Sequence, residues 1–440
     1  MGPKNCMILV LLSCPIVWAA QQGNDRKPYE SSDRPIPNAT VTGHVYLDDT
    51  KGPGRKATVY LQPAALLQAD APPDRSGVQD QGPVTASVET RFDGSYLFTH
   101  VAPGSYYLIA TSAGYISPLV ALSLAEGRSE YEEWTPLGPL QRTAKNRILD
   151  SMTRVDVQGG QPASADVTLE RGGAVSGNIT YDDGGSAAGL QVKVLARTLR
   201  NHKEAWLPVP TESHSFIDDN HTDDRGNYRI SGLPPGKYVV EVLLEFTDYK
   251  KYFSRSGSSG SGSNAHTSRL SVYSGNTPRE TKAAGFTLQA REERAGEDIL
   301  IPISKLNTIK GTIISARDGH LVNSGQVDLL HADDRSFVGS QSLTEDDPTF
   351  TFSFVFEGDY FLKTPASADV DYEPVPPTDN SGPPQFSTHI LHFYGPALRT
   401  IHVEGNMEGV RIAVPEPTPK EAQAYKEMMQ QEEKSATAPQ

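Results

Sequence analysis

The stretch Thr222–Val242, "TDDRGNYRISGLPPGKYVVEV", sets two turn signals around a short alternating run. The same grammar stands upstream at Thr90–Ala110, "TRFDGSYLFTHVAPGSYYLIA". Asp-x-Gly-x-Tyr opens each copy with a tight turn, where Gly94 and Gly226 can take the positive φ that other residues resist. Tyr96 and Phe98, like Tyr228 and Ile230, then line one face of a strand. Pro-Gly closes the run: Pro103 and Pro235 pre-set φ, and Gly104 and Gly236 fit a left-handed position. Tyr106 and Tyr238 begin the next strand. The ten-residue interval from Gly94 to Gly104, and from Gly226 to Gly236, suits a β-hairpin with its prolines kept out of the ladder. On this reading the motif is scaffold, and its tyrosines are core or corner residues.

Working outward, related first strands start at Val41 ("VTGHVYLDD"), Val175 ("VSGNITYDDGG") and Ile309 ("IKGTIISARDG"). Their glycines, Gly43, Gly177 and Gly311, stand 134 residues apart each time. That period is too long for a solenoid and marks tandem domains. Each start leads to a second strand, a variable excursion, the turn motif and a closing pair of alternating runs read as a hairpin. The third copy keeps Gly358 before Asp359-Tyr360 but loses the proline. The expected fold is all-β: three tandem immunoglobulin-like or prealbumin-like sandwiches at 39–170, 171–304 and 305–414. A linker at 20–38 precedes them and a disordered tail at 415–440 follows. Junctions such as Arg171-Gly172-Gly173 leave almost no slack, which predicts a semi-rigid rod. The Gly/Ser-rich 254–269 reads as a loop.

Composition agrees. The 440 residues include 38 glycines and 33 prolines, as a turn-rich β chain would, and the formal charge of −14 with no basic cluster argues against nucleic acid. "MGPKNCMILVLLSCPIVWAAQQ" reads as a signal peptide cleaved near Ala19, giving a secreted, periplasmic or cell-surface protein with no membrane span after cleavage. Lipidation at Cys14 is the runner-up, opposed by Pro15 directly after it. Both cysteines, Cys6 and Cys14, lie in that leader, so the mature chain is expected to carry no disulfide or thiolate site.

The quoted runs, each after a Gly-x-[Ile/Val] first strand, resemble carboxypeptidase regulatory-like domains, the prealbumin-like or starch-binding-like sandwiches related to Cna-B-type surface modules. The resemblance covers the first two units well, the third in part and neither end. It implies exported bacterial proteins that serve as spacers, adhesive stalks, sugar-binding modules or accessories to proteases and transporters. It does not imply a protease: no histidine is followed at the third position by glutamate, and no His-Glu-x-x-His or Gly-x-Ser-x-Gly is present. No catalytic residue, cofactor or metal ligand is assigned.

Rival sites were weighed on geometry. His389 and His392 of "HILH", with His402, form the best metal candidate, but strand residues three apart face opposite ways. The acidic pairs Asp48-Asp49, Asp182-Asp183, Asp223-Asp224, Asp333-Asp334 and Asp346-Asp347 suit turns, with calcium as the alternative. Trp134, Trp206, Tyr249 and Tyr252 stand in apparent loops and are the candidate contacts for a glycan or an envelope protein. The expected role is therefore an exported non-catalytic binding or spacer protein, with an accessory subunit or a calcium-dependent adhesin as alternatives.

Overall fold

The computed structural model describes residues 39–69, 86–127, 136–200, 203–210, 220–249, 265–345, 347–375 and 385–423. These form an all-β, multi-domain chain in which three pairs of sheets follow one another. The first unit holds β1 (Ala39–Leu47), β2 (Thr58–Pro63), β3 (Ala86–Glu89), β4 (Ser95–Val101), β5 (Gly104–Thr111), β6 (Thr153–Val157), β7 (Ala163–Ser164) and β8 (Val167–Leu169). One sheet runs β4-β1 with β7 and β8 on the far edge of β1, and the other runs β3-β2-β5-β6. Helices α1 (Ala64–Gln68), α2 (Pro118–Glu126) and α3 (Pro139–Ser151) interrupt the strands.

The second unit repeats the plan with β9 (Gly173–Tyr181), β10 (Gln191–Arg200), β11 (Lys203–Pro208), β12 (Asn227–Leu233), β13 (Gly236–Tyr249), β14 (Ala265–Tyr273), β15 (Phe286–Leu288), β16 (Glu293–Arg294) and β17 (Ile299–Ile301). Its sheets are β12-β9 with β16 and β17, and β11-β10-β13 with β14 and β15. The third holds β18 (Asn307–Ser315), β19 (Ser324–His331), β20 (Phe337–Leu343), β21 (Thr349–Val355), β22 (Gly358–Thr364), β23 (Ser367–Val375), β24 (Gln385–Tyr394), β25 (Ala397–Val403) and β26 (Met407–Val414). Its sheets are β21-β18-β26 and β24-β23-β19-β22-β25, with β20 on β19.

Alternation along the strands drives the layering. In β1, Ala39, Val41 and Val45 are buried while Thr42, His44 and Tyr46 are not, and each unit closes its own apolar cluster between its two sheets. Each fully buried Val, Leu or Ile contributes about 1.5–3 kcal/mol.

The turn motif is not a hairpin. β4 pairs with β1 while β5 pairs with β2, and the same split separates β12 from β13 and β21 from β22. The Pro-Gly segment is an arch from one sheet to the other. A bulge turns the strand just before it, at His100 (φ 59°), Gly232 (φ 81°) and Phe354 (φ 63°), where the pairing register shifts. The closing pair likewise splits: β6 joins β5, whereas β7 and β8 run parallel to β1. In the third unit β25 joins β22 and β26 runs parallel to β18. Alternation specifies which side of a strand is buried, and two strands facing one core from opposite sheets carry the same pattern as two that pair.

Two aromatic devices fix the arch. Tyr106, Tyr238 and Tyr360 donate their hydroxyls to the carbonyl four residues back, on Ala102 (2.9 Å), Pro234 (2.5 Å) and Phe356 (3.0 Å). Gly94 and Gly226 adopt φ 80°, but Gly236 has no positive φ. A Cβ there would lie 3.3 Å from the Tyr238 ring, so a side chain fits only if the ring gives by a few tenths of an ångström. The second device pairs Gly43 with Tyr96, Gly177 with Tyr228 and Gly311 with Phe350. The Tyr96 hydroxyl reaches the Ala165 carbonyl at 2.5 Å and that of Tyr228 reaches the Glu297 carbonyl at 2.6 Å, each tying its strand to the segment just before the last strand of the unit. Burial pushes both phenols well above their ordinary range, and Tyr360 to about 12.

Candidate functional site

Of the four candidate aromatics, Trp134 and Tyr252 lie outside the described residues, as does the side chain of Tyr249, which ends strand β13 and not a loop. Trp206 is on the edge strand β11, opposite Arg197. The Arg197 guanidinium sits over the indole at 5.1 Å and binds Glu204 at 3.1 Å. The indole is half-buried against Gly285 and a small cluster of Leu195, Val239 and Tyr273 on the outer face of the sheet. The excursion read as a loop is thus partly strand, because β10 is long enough to carry a partner. Residues 265–269, read as loop, are strand for the same reason: the far half of β13 pairs with them.

The rival metal and acid sites resolve into structure. A bulge shifts β24 by one residue, so His389 registers with Asp371 and His392 with Asp369, and the two histidines share a face. The expectation of opposite faces is corrected by that extra residue. His392 binds Glu416 at 2.8 Å, and His402 binds Asp359 at 2.6 Å. Among the described residues no group of three or more His, Cys, Asp or Glu is placed to hold a metal ion. Asp183 accepts from Gly185 N, and Asp223 from Arg225 N and Asn227 N, as turn-formers do.

Asp48, Asp182, Asp333 and Asp334 do something different: they tie the connectors and the units together. Asp48 accepts from Arg171 N at 2.8 Å, and Asp182, 134 residues on, accepts from Ser304 N at 3.2 Å. In each unit this aspartate follows the first strand and holds the connector that leaves for the next. The third unit has Ala316 at the same place, its backbone N–H on Val414 as those of Asp48 and Asp182 are on Leu169 and Ile301. Asp48 also binds the Arg291 side chain of the second unit. Arg279, nearly buried, binds Asp333 at 3.0 Å and Asp334 across the second junction. Sequence reasoning assigned these acids to turns; the signal that separates Asp48 and Asp182 from the others is their shared offset from Gly43 and Gly177.

Apolar contacts reinforce both junctions. Phe246 and Phe354 stack with centroids 4.4 Å apart, and Phe354 and Phe356 pack on the second unit's core. At the first junction Leu124 of α2 packs on that same core. Ser117 caps α2 through Leu119 N, and Pro118 begins it. Gly127 ends it at φ 62°, where a Cβ would lie 1.9 Å from the Leu199 carbonyl of β10. Thr198 donates to Leu124 O at 2.6 Å, and Gln141 of α3 to Leu199 O at 3.1 Å. Arg171 lies over the Tyr115 ring, whose hydroxyl donates to Asp49.

A cleft of about 230 Å³ remains between α2, α3, β10 and β11. Its polar groups are committed: Arg197 to Glu204, Thr198 to Leu124, and Gln141 to Glu126 and Leu199. Leu140 stands at its rim, 72% exposed.

No family model matches the chain, and no curated protein does. Among solved structures it is similar to the Bacillus anthracis TIE protein at 12% identity and a TM-score of 0.19, over 86% of this chain and 50% of that one. The chain thus spans about half the length of that relative. It is also similar to a streptococcal ancillary pilin (10% identity, TM-score 0.24, 86% of this chain and 99% of that one). A third likeness is the shaft pilin of Lactobacillus rhamnosus GG (11% identity, TM-score 0.22, 60% and 96%). At these TM-scores the likenesses assign no activity.

Proposed function

We propose that the chain is an exported, non-catalytic rod that holds binding loops at fixed spacing on a cell surface. The leader pattern at 1–19 supports export, and the domain limits 39–170, 171–304 and 305–414 follow the connectors. The observation that carries the reading is that both connectors are pinned by an aspartate while the units meet through side chains from both partners. A chain built only to string domains together would gain nothing from such ties. Carboxypeptidase regulatory-like identity, glycan or envelope-protein contact and an accessory role are finer forms of the same reading.

Amide ¹⁵N relaxation on the full chain tests it. Strands of the first and third units are expected to share one long rotational correlation time; separate, shorter times for the two would refute the rod. A glycan array tests the finer form, with retention of a sugar supporting contact through the loops and none refuting it.

A further inference from the structure

One cluster belongs to neither junction. In the third unit the turn after β18 meets the β23–β24 hairpin, and His320 stands between two carboxylates. Its Nδ1 is 2.5 Å from Asp318 Oδ1, and its Nε2 is 3.0 Å from Asp369 Oδ2. An ionised carboxylate brings no proton, so each contact needs an N–H, and a ring with both nitrogens protonated is the imidazolium. Tyr394 Oη, on a side chain 1% exposed, donates to the same Asp369 oxygen at 2.5 Å and lies 3.0 Å from Nε2.

β23 meets β19 only at Ser324–Ala368 and Gly325–Ser367. Asn323 adds a neutral tie, exchanging two 2.8 Å bonds with the backbone of Val370. We propose that His320 is a proton-operated latch: as imidazolium it pins the β23–β24 hairpin to the turn after β18, and on losing its proton it weakens that hold from an ion pair to a neutral hydrogen bond.

The surrounding charges set which contact fails. Arg317 stays cationic beside Asp318 at 3.6 Å and also reaches Glu416 at 3.5 Å, so Asp318 keeps a partner. Asp369 keeps only the Tyr394 proton. His392 is held by Glu416 and meets Tyr394 edge-on at 4.7 Å; Asp371 and His389 oppose each other farther along the hairpin. The one N–H left on a neutral ring therefore goes to Asp369, and the hairpin keeps a neutral hydrogen bond where it had an ion pair.

Hydrogen bonds donated to Asp369 and then Asp318 raise the His320 pKa above its ordinary 6.5, against a smaller cost of burial. Asp318, depressed to about 2 chiefly by its side-chain bond to His320, stays ionised throughout. A raised value means the ion-pair hold is complete below the unfolded-state pKa and is lost as pH rises through the folded one.

The test combines imidazole NMR titration with amide exchange, corrected for intrinsic rate, on the full chain. Protection of hairpin amides in 367–371 and 389–394 is expected to fall about tenfold for each unit by which the measured His320 pKa exceeds 6.5. In His320→Gln it should be lower at acid pH and flat across the same range. Asp369→Asn, which keeps an acceptor for Tyr394, should bring the His320 pKa back toward its ordinary value. A wild-type His320 that titrates at or below 6.5, or hairpin protection following the same pH course in wild type and His320→Gln, would overturn the latch.

Discussion

Gly177 and Tyr228 show how much one residue pair can hold. The ring of Tyr228 crosses the bare backbone of Gly177, and its hydroxyl binds the Glu297 carbonyl just before the last strand of the unit. A Cβ on Gly177 would lie 2.3 Å from the Glu297 carbonyl and 3.0 Å from the ring, so Gly177→Ala is expected to cost about 1–3 kcal/mol by overpacking. Tyr228→Phe should cost about 1 kcal/mol by losing a single hydrogen bond. Urea unfolding followed by Trp206 emission, with Trp18 and Trp134 replaced by Phe, reads both. The periodic glycines were visible in the sequence because no other residue fits where an aromatic and a carbonyl converge. What they fit against was not visible, since the partner aromatic lies 51–53 residues away on a separate strand. Phe350 keeps the ring without the hydroxyl, which is why the third copy blurred.

At the scale of elements, strands were legible and their partners were not. Alternation in β4 identified its buried side correctly, whereas β5 is buried on both faces, and an alternating pattern serves a hairpin and an arch alike. The left-handed bulge residues that decide between them include His100 and Phe354, neither of which announces a positive φ. Helix α3 escaped notice because the face it buries carries Gln141 and Lys145 ahead of Leu149. Lys145 is 3% exposed and bonds Glu126 and the Ala69 carbonyl, both at 2.9 Å. Breaking that pair from the acid side leaves a buried cation, so Glu126→Ala is expected to cost roughly 3–5 kcal/mol, whereas Glu126→Leu combined with Lys145→Met should be near neutral. Thermal unfolding of the two variants side by side reads the contrast; equal losses would contradict it.

Over the whole molecule, the even spacing of repeats was legible and the ties between them were not. Arg279 and Arg291 lie in segments with no repeat counterpart, and their acidic partners looked like ordinary turn residues. Asp333 is held below its usual range by Arg279, and Asp334 to about 2 by Ser336 first and Arg279 after. Depressed values make the second junction's ion pairs complete above the unfolded-state pKa of 3.8 and lost as pH falls toward 2. Cross-junction contacts between the second and third units should thus weaken below about pH 4. Changes in Phe246 and Phe354 ring signals would report it, and signals constant down to pH 2 would contradict it.

The central claim is that the three sandwiches form one rod and not three independent bodies. Spin labels at Ser87 in the first unit and Glu408 in the third, both exposed, measure it directly by double electron–electron resonance, with Cys6 and Cys14 changed to Ser. A single narrow distance distribution at neutral pH is expected, broadening when Asp48→Asn and Arg279→Ala are combined. A wild-type distribution already as broad as that of the double variant would contradict the account.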